Sequence, residues 1–163
     1  MATPETLGII AGNHDLPVLL AREARAAGVR RLIAVAMKGG TDETLAEHVD
    51  EITWVKVGQL SKLIKAFQSA GVTQCVMVGQ IAPDNLFSLR PDLRAMKLLV
   101  GLKKKNAHTI FGGIAAELAK DGIELIEATP WLQSAMPAKG FALGPQLTES
   151  QQADIEYGLR MAT

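Results

Sequence analysis

The sequence predicts an α/β protein whose mostly parallel, doubly wound sheet carries helices on both faces. Between Leu7 and Val78, apolar strand-like runs alternate with helical stretches in three consecutive β-then-α units with short connections. The second run, residues 32–37, shows no polar alternation, which is typical of a strand covered on both sides. A chain of 163 residues, 48% of them hydrophobic, is long enough for one domain with a sizeable core.

The first unit contains the turn around which the predicted site is organised. Leu7 to Ala11 forms a buried strand that breaks at Gly12, and Asp15 is placed to cap a helix with Pro17 in its first turn. Such a helix start directs N–H groups and a positive dipole end at an anion. An ordinary strand-to-helix connection explains the residues equally well, since no GxGxxG fingerprint or Walker A lysine follows.

The other elements follow from apolar spacing and from glycine stops. The first half contains a helix over residues 16–27, a strand over 32–37, a short helix over 43–48, a strand over 52–57, a helix over about 60–70 and a strand over 75–78. The second half contains a loop over 81–92, a helix over 93–104, a helix capped by Asn106 and stopped by Gly122, an edge strand over 123–128, a helical turn over 130–136 and a last helix over about 149–161. Thr148 and Gln151 outline a capping box for the last helix.

Composition excludes several classes of protein. The formal net charge of +0 argues against general nucleic-acid binding, which needs a basic footprint. The single cysteine, Cys75, excludes an internal disulfide and is expected to be a buried small hydrophobe. The start lacks the features of a signal peptide, and no apolar run approaches the length of a membrane span. We therefore expect a soluble cytoplasmic protein.

Glycine follows all four predicted strands of the first half. The four strand ends are Ala11-Gly12-Asn13-His14, Lys38-Gly39-Gly40, Gly58-Gln59 and Gly79-Gln80. Ligands of open α/β sheets bind beyond the carboxyl ends of the strands. Small residues let a ligand approach the backbone, so the pattern favours a nucleotide or a sugar phosphate. The alternative is that glycine simply marks turns.

The usual catalytic motifs are missing from the sequence. There is no GxSxG nucleophile elbow and no HExxH zinc helix. His14 is predicted to reach a ligand through its turn, whereas His48 and His108 are predicted on helix surfaces. The candidate carboxylate ligands for a divalent metal are Asp42 with Glu43, Asp50 with Glu51, and Asp84. Each of these is more simply a helix cap or a solvated turn.

The basic run Lys103-Lys104-Lys105 has two readings. It is typical of a solvated helix end, and the alternative is contact with an anionic membrane surface. From the residues alone, the chain is a nucleotide-binding-like domain without a self-contained active site.

Four segments, in the same order along the chain, carry a resemblance to a known family: residues 7–13 with Leu16-Pro17, residues 54–64, residues 89–99 and residues 154–159. Through these four segments, the chain resembles the N-terminal domain of the LpxI-type UDP-2,3-diacylglucosamine pyrophosphatases. The resemblance implies a Rossmann-like domain over residues 1–147 and a helix or linker over 148–163. A C-terminal domain would follow, with the substrate between the two domains.

The resemblance also implies a reaction. Such enzymes hydrolyse UDP-2,3-diacylglucosamine to lipid X and UMP in lipid A biosynthesis, using a divalent metal, usually magnesium, and water. The catalytic and metal-binding groups are expected on the C-terminal domain, so the chain alone is predicted to be inactive. The implied partners are a UDP-linked glycolipid, the cytoplasmic face of the inner membrane and a second copy of the chain.

The residues expected near the substrate are Ala11, Gly12, Asn13, His14, Gly58, Gln59, Lys62, Gly79 and Gln80. The N–H groups of Gly12 and Asn13 would favour the pyrophosphate, and Lys62 would neutralise it. Asn13 and Gln59 would hydrogen-bond uracil or ribose. The chain departs from the family pattern at His14, where glycine is frequent, and after Gly79, where basic residues are frequent.

Two other functions remain open at this stage. The domain could sense a nucleotide or nucleotide sugar without hydrolysing it, or it could serve self-association alone.

Overall fold

The computed structural model describes residues 3–81, 91–102, 106–141 and 143–162. Most of the predicted loop over 81–92, Asp84 and the Lys103–Lys105 run lie outside the described residues. The described strands form one parallel sheet in the order β3-β2-β1-β4-β5, which confirms the predicted fold class. The strands are β1 (Thr6–Ala11), β2 (Arg31–Met37), β3 (Glu51–Val55), β4 (Gln74–Val78) and β5 (Glu124–Leu125).

Helices cover both faces of the sheet. They are α1 (Leu16–Ala26), α2 (Leu60–Ser69), α3 (Leu93–Gly101), α4 (Ala107–Lys120) and α5 (Glu149–Ala162), with short 3-10 helices at Glu43–Glu47, Thr129–Trp131 and Gln133–Ala135. The core next to α1 contains Leu7 and Ile9 of β1 together with Leu20 of the helix. The core on the other face contains Ile10 of β1 and Phe67 of α2. Side chains of successive residues along β1 therefore pack into the cores on opposite faces of the sheet, as expected for a central strand that is covered on both sides.

Several elements differ from the expectations at their ends. β5 pairs over two residues, not six, because after the N–H of Ile126 donates to Cys75 the chain turns into a 3-10 helix. β3 ends at Val55, since the N–H of Lys56 donates to the side chain of Gln59 in a local turn. α3 ends at Gly101, before the predicted end. Other predicted bounds agree with the structure to within one or two residues.

One predicted helix cap is wrong. Asp15 precedes α1, but its backbone is already helical (φ −77°, ψ −16°) and its side chain accepts no N–H. A capping side chain needs an extended backbone to fold back onto the helix. The capping box of α5 is confirmed, because the N–H of Thr148 donates to the side chain of Gln151 and the N–H of Gln151 donates to the hydroxyl of Thr148. α5 buries none of its residues.

We expect Gly8→Ala to destabilise the chain by about 1–3 kcal/mol through overpacking. A Cβ on Gly8 would lie 2.8 Å from Cγ1 of Val72 and 2.9 Å from Cβ of Cys75, both in the core. Gly112→Ala is the matched control, because a Cβ on that helical residue meets nothing within 4 Å and should stabilise the chain by about 0.5–1 kcal/mol. Urea unfolding measures both; equal effects would contradict the packing.

Candidate functional site

The strand order places the expected ligand crevice between β1 and β4. From β1 the chain moves through β2 to β3 on one side, and then returns to add β4 on the other side of β1. Ligands of such sheets bind at this point of reversal, beyond the carboxyl ends of the strands. Six of the nine predicted site residues lie here: Ala11, Gly12, Asn13, His14, Gly79 and Gln80.

Direct contact between the two loops closes this crevice at the backbone. The N–H of Gly12 donates to the carbonyl oxygen of Val78 at 2.8 Å, and the N–H of Asn13 donates to that of Gln80 at 2.6 Å. Asn13 and Gln80 form an isolated antiparallel bridge. These are the N–H groups expected to bind the pyrophosphate, and in this structure both are hydrogen-bonded within the chain.

The two glycines of the crevice are explained by the same contact. A Cβ on Gly12 would lie 2.5 Å from the backbone oxygen of Gln80, and a Cβ on Gly79 would lie 2.6 Å from that of Asn13. Gly79 also has a φ of +85°, which favours glycine. Glycine at these positions therefore lets two loops meet, and its presence is no evidence that a ligand approaches the backbone.

His14 stands at the outer rim of this contact. Its φ of +68° is in the left-handed region, and it is the only non-glycine residue with positive φ among the described residues. Its Nε2 lies 3.3 Å from Oε1 of Gln80, within reach of a hydrogen bond from the ring N–H. The backbone gives a physical reason why glycine would suit this position and why histidine is accommodated only with strain.

A buried threonine ties the ends of β1 and β2 together. The hydroxyl of Thr41 donates to the carbonyl oxygen of Ala11 at 2.7 Å and accepts the N–H of Met37 at 2.9 Å. Next to it, Asn13 lies over Gly40, where a Cβ would come within 2.2 Å of Oδ1. Sequence reasoning missed Thr41, because a threonine in a glycine turn carries no distinctive signal.

The other three predicted residues, Gly58, Gln59 and Lys62, lie on the far side of β2. Two strand spacings, about 10 Å, separate β3 from β1. The side-chain oxygen of Gln59 accepts the N–H of Lys56 at 2.9 Å, and the ammonium of Lys62 donates to the carbonyl oxygen of Trp54 at 3.0 Å. The nine residues therefore form two groups at one edge of the sheet.

The N-terminus of α2 is already occupied by a carboxylate of the chain. Asp92 accepts the N–H of Ser61, in the first turn of α2, at 2.7 Å and the N–H of Ala95, in the first turn of α3, at 2.9 Å. Its own N–H donates to the carbonyl oxygen of Gly58. Burial alone would raise the pKa of Asp92, but the hydrogen bonds from Ala95 and Ser61 outweigh it and lower the pKa. Asp92 is thus a double helix cap.

The described residues do not fit a metal site. In the ranges that the structure covers, no three His, Cys, Asp or Glu residues come together. Asp42 accepts the N–H and hydroxyl of Thr44, and Asp50 accepts the N–H of Leu32 and pairs with Arg25. These carboxylates are caps and structural partners, as the sequence indicated. We derive no metal-dependent step from this part of the chain.

The cysteine and the two other histidines of the chain lie outside the candidate site. Burial raises the pKa of Cys75 to about 12, which suits a buried small hydrophobe and not a nucleophile. His108 is exposed on α4, and His48 is half-buried at the end of a 3-10 helix. An open groove of about 560 Å³ beside His48 is lined by Arg25 and Asp50, near the amino end of β3 and away from the site.

Comparison with known proteins identifies the family. The family model for the LpxI N-terminal domain matches residues 6–135. The chain belongs to the LpxI N-terminal domain family. A UDP-2,3-diacylglucosamine pyrophosphatase LpxI from Caulobacter vibrioides is 29% identical over 160 residues, which cover 96% of this chain and 56% of that protein. The chain therefore spans about half the length of this relative.

One solved structure, the crystal structure of gox2253, is 17% identical, with a TM-score of 0.46; the match covers 75% of this chain and 33% of that one. This likeness is too weak to support any argument about function. Within the described ranges, no helix combines the length and hydropathy needed to span a bilayer.

We expect Thr41→Val to cost about 1–3 kcal/mol of stability, because the substitution keeps the side-chain shape but removes the buried hydrogen bonds that the hydroxyl makes with Ala11 and Met37. Thr73→Val, at an exposed position, is the control and should change stability by less than about 0.5 kcal/mol. Chemical denaturation compares the two variants. A harmless Thr41→Val would show that the hydroxyl does not hold the strand ends.

We expect Asp92→Asn to lower the free energy of unfolding by about 1–2 kcal/mol at pH 7. The two carboxylate oxygens accept the N–H groups of Ser61 and Ala95, whereas an asparagine side chain has only one oxygen that can accept. The pKa of Asp92 is lowered on folding, so its ionised form adds stability above the unfolded pKa of about 3.9. That stability is lost as the pH falls through the folded pKa. The difference between wild type and variant should therefore shrink below about pH 4.

Denaturation at a series of pH values measures this difference. Asp15→Asn is the matched control, since the Asp15 side chain makes no cap bond, and it should change stability by less than about 0.5 kcal/mol. A wild-type advantage over Asp92→Asn that stays constant from pH 7 to pH 3 would rule out the charged double cap.

Proposed function

We propose that this chain is the UDP-sugar-binding part of a pyrophosphatase that hydrolyses UDP-2,3-diacylglucosamine to lipid X and UMP. The observation that carries the proposal is the family match over residues 6–135, together with a relative that is named for this activity. The chain corresponds to 56% of that relative's length, so the activity of the whole enzyme is itself part of the proposal.

The geometry supports a binding role more than a catalytic one. The side-chain amide of Asn13 is half-buried and has no hydrogen-bond partner among the described residues. It can donate to and accept from a base or a ribose without breaking a contact within the chain. Gln80 and His14 stand beside it, and their mutual bond is exposed and can be exchanged for a ligand.

The catalytic groups belong, in this proposal, to a further domain of the enzyme. A divalent metal, magnesium by the family resemblance, would supply activated water and clamp the phosphate oxygens. No cluster in the described part of the chain suits it, so this chain's residues bind and orient the substrate. A cytoplasmic location, contact with the inner membrane surface and a homodimer form part of the same proposal. Vesicle co-sedimentation and analytical ultracentrifugation test the last two.

Calorimetry with UDP and UMP tests the binding role. We expect Asn13→Ala to weaken UDP binding by about tenfold, because one or two hydrogen bonds to the nucleoside are lost. Gln152→Ala, exposed on α5, is the control and should bind as the wild type does. Unchanged UDP affinity in Asn13→Ala would remove Asn13 from the site.

The release of UMP from UDP-2,3-diacylglucosamine with magnesium tests the division of roles. We expect binding without turnover by these 163 residues. Robust turnover would contradict the proposal. Tight binding of UDP-N-acetylglucosamine that acyl chains do not improve would instead favour a nucleotide-sugar sensor.

A further inference from the structure

Two lysines stand side by side where β2 and β3 end. The N–H of Lys38 donates to the carbonyl oxygen of Val55 at 2.8 Å, a bond that belongs to the last β2–β3 pair, Met37 and Val55. Lys38 and Lys56 directly follow this pair, one on each strand, so their backbones leave the sheet next to each other. Adjacent strands are about 4.8 Å apart, a spacing at which one small anion can reach two lysines. Both lysines are exposed.

This pair has no counter-charge in the part of the chain that the structure describes. None of the ion pairs there involves Lys38 or Lys56. The carboxylate of Asp42, four residues after Lys38, accepts two bonds from Thr44, and the carboxylate of Asp92 accepts N–H groups at two helix starts. Like charges placed opposite each other destabilise a sheet, and an anion bound between them would offset this cost.

The surroundings extend the positive charge toward the candidate site. The ammonium of Lys62 is held at the carbonyl of Trp54, next to the end of β3. On the other side, Gly39 and Gly40 lead from Lys38 to the unpartnered amide of Asn13, which lies over Gly40. A phosphate at the lysines and a nucleoside at Asn13 would therefore occupy neighbouring positions along the same sheet edge.

The position of Lys38 also favours a phosphate. In dinucleotide-binding sheets, an arginine near the end of the second strand accommodates a phosphate on the ribose, so a cation at this place can meet a phosphate group. Here the residue after β2 is a lysine, and the backbone N–H groups of Gly12 and Asn13 are already bonded to other residues. The charge that meets a phosphate must therefore come from elsewhere on this edge.

We infer that Lys38 and Lys56 form a phosphate-binding subsite beyond β2 and β3, which takes the pyrophosphate group of a nucleoside diphosphate. The nucleoside part rests on the proposed function, whereas the phosphate part rests on the lysine pair alone. In this proposal, the phosphate group binds beyond β2 and β3 and not in the crevice between β1 and β4.

Inorganic pyrophosphate is the direct probe, used with the full chain at low ionic strength. We expect it to bind the wild type and to raise the temperature of unfolding. In Lys38→Ala/Lys56→Ala the affinity should fall at least tenfold, whereas Lys38→Arg/Lys56→Arg should retain it. Lys65→Ala is the matched control, since Lys65 is exposed on α2 without an ion pair in the described ranges, and it should bind as the wild type does.

Without ligand, the double alanine variant should unfold at the wild-type temperature or above it, because a repulsive pair has been removed. That readout shows that a loss of binding is not a loss of folding. The subsite is overturned if pyrophosphate fails to bind the wild type, or if it binds the double alanine variant equally well.

UDP and uridine separate the two proposals. If uridine binds and the lysine variants leave UDP affinity unchanged, the subsite is wrong and the proposed function stands. If pyrophosphate binds through the lysines but uridine does not bind and UDP binds no better than pyrophosphate, the proposed nucleotide-binding function fails and the subsite stands.

Discussion

The contact between the loops that follow β1 and β4 constrains everything at the carboxyl edge of the sheet. Two backbone hydrogen bonds, from Gly12 to Val78 and from Asn13 to Gln80, join these loops where an open α/β sheet usually admits a ligand. The contact requires glycine at positions 12 and 79 and brings His14 into the left-handed region. It also occupies the N–H groups of Gly12 and Asn13, so the proposed site relies on side chains over β1, β2 and β3.

Two side chains connect the other elements at this edge through hydrogen bonds. Thr41 connects the ends of β1 and β2 through its buried hydroxyl, and Asp92 connects the starts of α2 and α3 through one carboxylate. Because α2 and α3 pack in the same core, the Asp92 bonds fix the β3–α2 turn against the body of the domain. Side chains that bind a ligand work best on a frame that is held in this way.

The sequence predicts the fold well because apolar runs, glycine stops and amphipathic spacing report backbone periodicity directly. The parallel sheet and the order of helices follow from that information. The site is predicted only as a set of strand ends. Contacts between different strands and loops decide what each residue does there. Gly12 faces Gln80, the ammonium of Lys62 donates to Trp54, and the N–H of Lys38 donates to Val55 of the neighbouring strand. The same limit explains why sequence reasoning misses Thr41, whereas the predicted cap at Asp15 fails because the backbone of that residue is already helical.

An amide-resolved NMR titration with UDP, combined with hydrogen exchange, tests most directly where the ligand lies. The amides of Gly12 and Asn13 should be protected from exchange before UDP is added, because both are hydrogen-bonded within the chain. UDP should then shift the signals of residues 38–41 and of Lys56 most strongly. If Gly12 and Asn13 exchange rapidly in the free protein and become protected only with UDP, the crevice between β1 and β4 is open and binds the pyrophosphate, which would contradict the closed crevice.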